Sequence, residues 1–339
     1  MTSSLNKFGA GIATNVILLA VVSFLVDVSS EIIFPLLPFF LVLTLGASYF
    51  IVGIMEGSAE LIASLVKIFS GYWSDRVGRR KVFVLSGYGA SALLKGFFAL
   101  STSWVHVFFL RIAERIGKGV REPARDAIVA ESSPPEAKGK AFGFQRAMDT
   151  GGAILGPIFA IVLLVVFAYS YRPIFLIATI PAVLAFLVGL FLKERGKREE
   201  RKAPSKLGLR FLPIRLRVFV VVASIFALGS FSFFFAMLRA VDLGQSETMT
   251  LAFYLLMNIT FALSAMPAGA LSDRIGRIPT IALGYSLFAV VCILFSLQIG
   301  VVLIGLAFLI FGLSNGFVDG VQRAYVCDLA PNDIRATCL

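Results

Sequence analysis

The sequence predicts an all-α integral membrane protein, and three observations support this. Of its 339 residues, 58% are hydrophobic and only 15% are charged, whereas an ordinary soluble domain is about 45–50% apolar and about 25% charged. The apolar residues form runs long enough to cross a bilayer, and short polar loops separate these runs. One loop sequence also occurs twice. Because so much apolar surface cannot be hidden in a water-soluble core, lipid must solvate most of it.

Ten apolar runs have the length of about 20 residues that a helix needs to cross the hydrocarbon core. Prolines and glycines inside several runs are compatible with membrane helices. The first run is too long for the apolar region of a signal peptide and has no convincing cleavage site, so we expect it to be the first span. The predicted spans are about 12–42, 48–72, 82–101, 104–128, 141–168, 172–192, 217–241, 248–271, 280–297 and 300–328.

The net charge of +11 lies mostly in alternate loops between the spans. Loops 74–81, 133–140, 193–217 and 272–279 are basic, and the intervening turns are nearly free of Lys and Arg. Since Lys and Arg accumulate in cytoplasmic loops, this alternation predicts a multi-pass protein of the cell membrane with both termini in the cytoplasm. The orientation of the chain in the membrane explains the positions of these Lys and Arg residues, so we do not expect nucleic-acid binding.

The most basic segment divides the chain. We predict an N-terminal six-helix half at 1–193, a basic cytoplasmic linker at 194–216 and a partial C-terminal half of four spans at 217–339. The linker contains Pro204 and Pro213 and is expected to be solvated at the lipid headgroups.

A loop sequence is repeated at equivalent places in the two halves. GYWSDRVGRR at 71–80 follows span 2, and GALSDRIGRI at 269–278 follows span 8. The segment 130–135 is likewise echoed at 328–333. The same loop on the same side of the membrane indicates parallel halves related by an axis along the membrane normal.

This repeated loop, together with the basic linker, resembles the major facilitator superfamily over essentially the whole chain. The resemblance implies a two-half helical bundle of twelve spans and a loop that latches the halves and gates the conformational change. The second copy has Ile278 where the first has Arg80, so we expect a weaker second latch. Gly78 and Gly276 permit a tight turn. The gating residues carried over are Gly71, Asp75, Arg76, Gly78, Arg79 and Arg80, with Gly269, Asp273, Arg274, Gly276 and Arg277.

Span 5 contains a second pattern, Gly143, Gly152, Gly156 and Pro157. It resembles the antiporter signature of the same family, whose last two glycines are replaced here by Ala160 and Ile161. The resemblance implies export. The alternative is generic packing of small residues, because glycines let helices approach closely.

Charged residues within the spans are costly in lipid and usually face a cavity. The resemblance implies that spans 1, 4, 7 and 10 line the central cavity. We predict Asp27 and Glu31 as proton-coupling carboxylates, or alternatively as structural partners of Arg111 or Arg115. Those two arginines suit an anionic substrate, or else they balance the carboxylates. The predicted pathway comprises Asp27, Glu31, Arg111, Glu114, Arg115, Lys118, Arg239, Asp319 and Arg323.

The function predicted from these features is secondary active transport, as a proton-coupled antiporter that exports a small organic solute by alternating access. Its expected partners are a small-molecule substrate, protons and the lipid bilayer. No cofactor, metal or enzymatic activity is predicted, because the three cysteines and His106 lack ligand spacing and no nucleophile–base pair is evident.

Two alternatives stay open. One is a proton-coupled importer of a nutrient or organic anion. The other is an inactive truncated remnant, since the resemblance implies twelve spans and only ten are predicted before Leu339. We therefore expect spans 11 and 12 to be missing and the 339-residue form to be less stable.

Overall fold

The computed structural model describes residues 13–77, 79–134, 137–168, 170–194 and 213–329, without the side chains of Asp75, Lys138 and Cys327. Throughout these ranges the secondary structure is helical and contains no strand, which confirms the all-α prediction. The helices that correspond to the ten predicted spans are α1 (Thr14–Ile33, continued by Leu37–Phe39 and a π-helical turn Phe40–Thr44), α2 (Tyr49–Val77), α3 (Arg80–Phe98), α4 (Trp104–Ser132), α5 (Lys138–Val166), α6 (Tyr171–Gly189), α7a (Ile214–Gly229) and α7b (Phe233–Asp242), α8 (Glu247–Ile275), α9 (Arg277–Ser296) and α10 (Val301–Leu329).

The described helices have the composition of a multi-pass membrane protein. Eight helical segments within the described ranges are long and apolar enough to cross a membrane. The other two are both long enough, but α3 is less apolar and α4 carries a stripe of charged residues. Predicted spans 2, 4 and 8 end a few residues too early, at 72, 128 and 271. The apolar run stops there, whereas the backbone hydrogen bonds continue through the polar residues that follow.

Short polar residues set several helix ends. Ser103 Oγ accepts a hydrogen bond from Val105 N at 3.3 Å at the start of α4, and Ser246 Oγ accepts one from Met249 N at 3.2 Å at the start of α8. Such caps satisfy backbone N–H groups that have no partner within the helix. The turn between α8 and α9 needs Gly276, whose φ of 98° is a left-handed conformation that favours glycine.

The chain divides into two compact units, Met1–Glu200 and Arg201–Leu339. In the first unit α1 packs against α5 and α6, α2 packs against α4, and α3 packs against α4 and α6. Ser29 Oγ donates to Ala178 O at 2.5 Å and so joins α1 to α6. At the end of the unit, Asn15 Nδ2 donates to Lys193 O at 2.8 Å. Helix α1 is therefore held on two sides by its own half.

In the second unit α10 packs against both α8 and α9, and α7b packs against α8. Gly312 and Gly316 of α10 lie so close to Thr260 and Ser264 of α8 that an added Cβ would overlap those side chains. Helix α7 is interrupted at 230–232, between α7a and α7b.

The predicted linker 194–216 falls mainly on residues outside the described ranges, so its bounds stay a prediction.

Candidate functional site

The glycines of α5 and the carboxylates of α1 meet at one helix crossing. A Cβ added at Gly152 would lie 2.8 Å from Asp27 Cβ, and one added at Gly156 would overlap Glu31 Cβ. At Gly143 an added Cβ would meet nothing within 4 Å. Only the later part of the predicted span 5 pattern therefore provides close approach. The structure brings together two features that the sequence presented as separate.

Asp27 and Glu31 lie one turn apart on α1 and are both partly exposed. The charged side chains around Asp27 include Asp149, Lys118 and Arg125, which come from α5 and α4. Carboxylates and cations from three helices of one half thus surround a position that is still accessible. This is an environment in which the ionised and neutral forms of a carboxylate can be balanced.

A hydrogen-bonded network lies one turn before Asp27. Ser23 Oγ accepts hydrogen bonds from Gln145 Nε2 at 2.5 Å and from Arg125 Nη1 at 3.3 Å. Gln145 Nε2 also donates to Asp149 Oδ1 at 3.2 Å. The network links α1, α4 and α5, so a movement of α1 would disturb the partners of Arg125 and Asp149.

Arg111 of α4 occupies the centre of a buried ion cluster. Its Nε and Nη2 donate to the two carboxylate oxygens of Glu56 at 2.7 and 3.1 Å, and its Nη1 lies 3.6 Å from Glu114 Oε2. The guanidinium carbon also lies 3.9 Å from the centroid of the Phe34 ring. A planar guanidinium is suited to this bidentate geometry.

Further ion pairs between α2 and α4 follow along the same stripe. Arg115 Nη2 lies 3.8 Å from Glu60 Oε2, and Glu122 Oε2 lies 2.7 Å from Lys67 Nζ of α2. Within α4, Lys118 Nζ lies 3.6 Å from Glu122 Oε1. The Arg111 side chain is 0% exposed, Arg115 14% and Lys118 35%. A solute in the first half could therefore reach Lys118 and part of Arg115, but it could not reach Arg111 in this conformation.

Lys95 of α3 is a buried charged residue that the sequence analysis missed. It is 0% exposed, and its Nζ donates to Val26 O at 3.2 Å and to Ser30 Oγ at 2.9 Å. No carboxylate of the described residues lies within salt-bridge distance of it. A lysine in the middle of an apolar span was the available signal, because such residues are costly and usually functional.

The repeated loops carry ion pairs within each half. In the first half Arg80 Nη1 lies 2.6 Å from Glu131 Oε1, at the end of α4. In the second half Arg277 lies 2.6 Å from Asp273 and 3.1 Å from Asp328, at the end of α10. Equivalent positions of the two halves are 198 residues apart, as Asp75 and Asp273 show, so Arg277 is equivalent to Arg79 and Asp328 is equivalent to Ala130. The arginine and the carboxylate of the second pair therefore each lie one position earlier than in the first pair. An ion pair between the loop and the end of the fourth helix is nevertheless present in both halves.

We expect the Arg80–Glu131 pair to hold the first loop against α4. Glu131→Arg should lower the thermal stability of the purified protein slightly, because a partly exposed ion pair, with side chains here 18% and 20% exposed, contributes about 0.2–1 kcal/mol. Exchanging both charges, in Arg80→Glu with Glu131→Arg, should restore it. The midpoint of thermal unfolding in detergent measures this. No recovery in the exchanged pair would contradict the assignment.

The remaining predicted residues lie as follows. Arg239 donates to Phe295 O at 2.9 Å and to Leu297 O at 3.3 Å, at the end of α9. Arg323 pairs with Asp319 at 2.7 Å within α10.

The last of the predicted residues belong to the repeated loops and to span 5. Arg76 Nη1 donates to Tyr72 Oη at 3.3 Å, Arg79 precedes α3, and Arg274 lies exposed near the end of α8. A Cβ at Gly71 would lie 3.6 Å from Pro123, and one at Gly269 would meet nothing. Pro157 lies inside α5. Gly78 and the Asp75 side chain are outside the described residues.

Comparison with known proteins identifies the family to which this architecture belongs. The family profile of the Major Facilitator Superfamily matches residues 19–339. The uncharacterized MFS-type transporter MJ1317 of Methanocaldococcus jannaschii is 38% identical over 340 residues, which cover 98% of this chain and 85% of that protein. The quinolone resistance protein NorA of Staphylococcus aureus is 25% identical over 214 residues, which cover 62% of this chain and 54% of that protein. The crystal structure of a bacterial homologue of the human lysosomal transporter Spinster superposes with a TM-score of 0.75 at 16% identity, covering 95% of this chain and 76% of that one.

Proposed function

Because this chain belongs to the major facilitator superfamily, we propose that it is a proton-coupled antiporter that exports a small organic solute by alternating access. The observation that carries the proposal is the crossing of α5 on α1, where Gly152 and Gly156 pack directly on Asp27 and Glu31. A change in the protonation of either carboxylate would act on the helix crossing itself. The similarity to a quinolone resistance protein supports export.

The proposed coupling uses the two environments available to Asp27. Desolvation favours the neutral carboxyl, and the cations Lys118 and Arg125 favour the carboxylate. A movement of α1 along α5 that changes the distance to those cations would load and release a proton. Because α1 also holds Ser23, the same movement would alter the hydrogen bonds of Gln145 and Arg125.

We further propose that the loops 71–80 and 269–278 face the cytoplasm of the cell, with both termini on that side, and gate the conformational change. The distribution of Lys and Arg supports this orientation. In that role Arg80 and Arg277 would hold each loop to the end of the fourth helix of its half. Labelling of single cysteines at the exposed position 77 and at 243 with an impermeant thiol reagent in intact cells tests it. We expect labelling at 243 alone, and labelling at 77 alone would contradict the orientation.

Proton coupling is tested with Asp27→Asn, Glu31→Gln and the double variant in proteoliposomes. A fluorescent quinolone serves as the probe solute, and a trapped pH dye reports proton movement. We expect each single variant to lower coupled flux about tenfold or more, because an amide cannot carry the proton. The control Glu247→Gln changes a carboxylate at the start of α8 and should leave the flux unchanged.

Two results would overturn parts of this proposal. Full coupled flux in all three variants would remove Asp27 and Glu31 from the coupling mechanism. Expression that raises rather than lowers the accumulation of the probe in cells would replace export by import, the alternative in which Lys118 and Arg115 meet an organic anion.

A further inference from the structure

A cavity of about 240 Å³ opens within the second half, where α7 is interrupted. Its wall is formed by residues of α7a, α7b, α8, α9 and α10 together with the break at 230–232. Most of the lining is aromatic or aliphatic, and none of the described residues that line it is charged. The main lining residues are Phe226, Phe231, Phe233, Phe288, Phe311 and Asn315.

The break in α7 explains why space exists here. Helix α7b begins afresh after Ser232, whose Oγ accepts a hydrogen bond from Phe234 N at 3.3 Å. Helix α1 is interrupted at 34–36, a near-equivalent position of the first half, but there Phe34 and Leu36 are buried and Arg111 covers the Phe34 ring. Interrupted helices at corresponding positions of two halves commonly mark binding sites in transporters.

The aromatic wall is held in place by contacts between its own rings. The Phe231 ring lies 5.1 Å from that of Phe288 and 5.5 Å from that of Phe311, and these two are 5.6 Å apart. Phe226 stacks on Tyr285 with the ring centroids 3.7 Å apart. Rings in such mutual contact are pre-organised, and they offer both faces and edges to another aromatic group.

Asn315 is the one amide in this wall, and it lies in the middle of α10. Its neighbours on α10 are used for packing: Ser314 Oγ donates to Gly284 O at 2.8 Å, and Gly312 and Gly316 face α8. The Asn315 side chain makes no hydrogen bond to any residue that the structure describes. The Asn315 side chain is only partly buried and lines the cavity, so it is accessible from that space. A ligand that occupies the aromatic wall could therefore form a hydrogen bond with Asn315.

We propose that this cavity is a binding subsite for a small, neutral aromatic solute whose hydrogen-bonding group meets Asn315. The inference deepens the proposed function, on which it rests, by naming a substrate class. The volume is below the range of about 300–1,000 Å³ typical of drug-sized ligands. The subsite therefore suits one or two fused rings, either as a complete solute or as the ring end of a larger one. The uncharged lining selects against an ion at this position.

Direct binding to the purified 339-residue protein in detergent tests the subsite, with radiolabelled 1-naphthol in equilibrium dialysis. We expect saturable binding of one molecule per chain. Asn315→Leu should weaken it about threefold to tenfold, the effect of one neutral hydrogen bond, and Phe231→Leu should weaken it similarly. The control Phe253→Leu changes a ring of the same half that stacks on Phe308 and does not line the cavity. It should leave the affinity unchanged.

A change in the probe keeps the test independent of variant folding. On the unmodified protein, naphthalene lacks the hydroxyl group and should bind several-fold more weakly, and fully hydrogenated 1-naphthol lacks the rings and should also bind more weakly. No saturable naphthol binding, equal affinity for the hydrogenated analogue, or unchanged affinity in both Asn315→Leu and Phe231→Leu would overturn the subsite. Binding that follows the expected pattern without proton-coupled flux in proteoliposomes would overturn the proposed function and leave the subsite standing.

Discussion

Replacing Arg111 by leucine should destabilise the first half by about 3–5 kcal/mol, the usual effect of removing one partner from a buried ion pair. The Glu56 carboxylate would lose two hydrogen bonds, at 2.7 and 3.1 Å, and the buried Glu114 would lose a cation at 3.6 Å. Arg111→Lys should recover only part of this loss, because an ammonium group cannot form the same bidentate contact. The midpoint of thermal unfolding in detergent and the yield of monodisperse protein measure the effect.

Two further variants show whether the uncompensated charge is the cause. Arg111→Leu combined with Glu56→Gln and Glu114→Gln should regain much of the stability, because no carboxylate is then left buried without a cation. The matched control Arg115→Leu removes the neighbouring arginine, whose pair with a 65% exposed Glu60 spans 3.8 Å, and should have a small effect. Equal destabilisation by Arg111→Leu and Arg115→Leu would contradict the cluster.

Replacing Gly156 by valine should separate α1 from α5 and abolish transport. An added Cβ would already overlap Glu31 Cβ and come within 3.0 Å of the Val28 carbonyl oxygen. Since both neighbours belong to the backbone or to its first side-chain atom, they cannot turn away. Overpacking of this kind typically costs about 1–3 kcal/mol or more. Flux of the quinolone probe in proteoliposomes and the thermal midpoint report the two consequences.

The same helix offers a graded comparison. Gly152→Ala places a Cβ 2.8 Å from Asp27 Cβ and from Phe24 O, so it should lower the flux strongly. Gly143→Ala meets no atom within 4 Å and should transport like the unmodified protein. An effect of Gly143→Ala as large as that of Gly152→Ala would show that helix propensity, rather than the crossing with α1, explains the motif.

The sequence predicted the membrane fold well because the signal is chemical and local. An apolar run of about 20 residues has few stable alternatives to a membrane helix. The repeated loop marked two equivalent halves, and the charged stripe on span 4 was visible from its spacing alone. The ends of α2, α4 and α8 were placed too early, because hydropathy reports where lipid contact stops rather than where helical hydrogen bonding stops.

The site depended far more on tertiary contacts. The stripe on α4 has the same spacing whether it faces a cavity or α2, and only the packing of helices placed Glu56 and Glu60 opposite its arginines. Lys95 and Asn315 were overlooked because one polar residue in an apolar run has no periodicity. Their importance follows from their neighbours in the folded protein. Lys95 donates hydrogen bonds to two oxygen atoms of α1, and Asn315 lines the aromatic cavity.

By itself, the sequence determined that this chain crosses the membrane many times as two related halves, since hydrophobic length and repeated motifs are written along the chain. The tertiary structure alone decided that Gly152 and Gly156 pack on Asp27 and Glu31, whereas Gly143 does not. It also decided that the second loop keeps its ion pair through Arg277 and Asp328. Both outcomes depend on distances between residues far apart in sequence, which spacing along the chain does not encode.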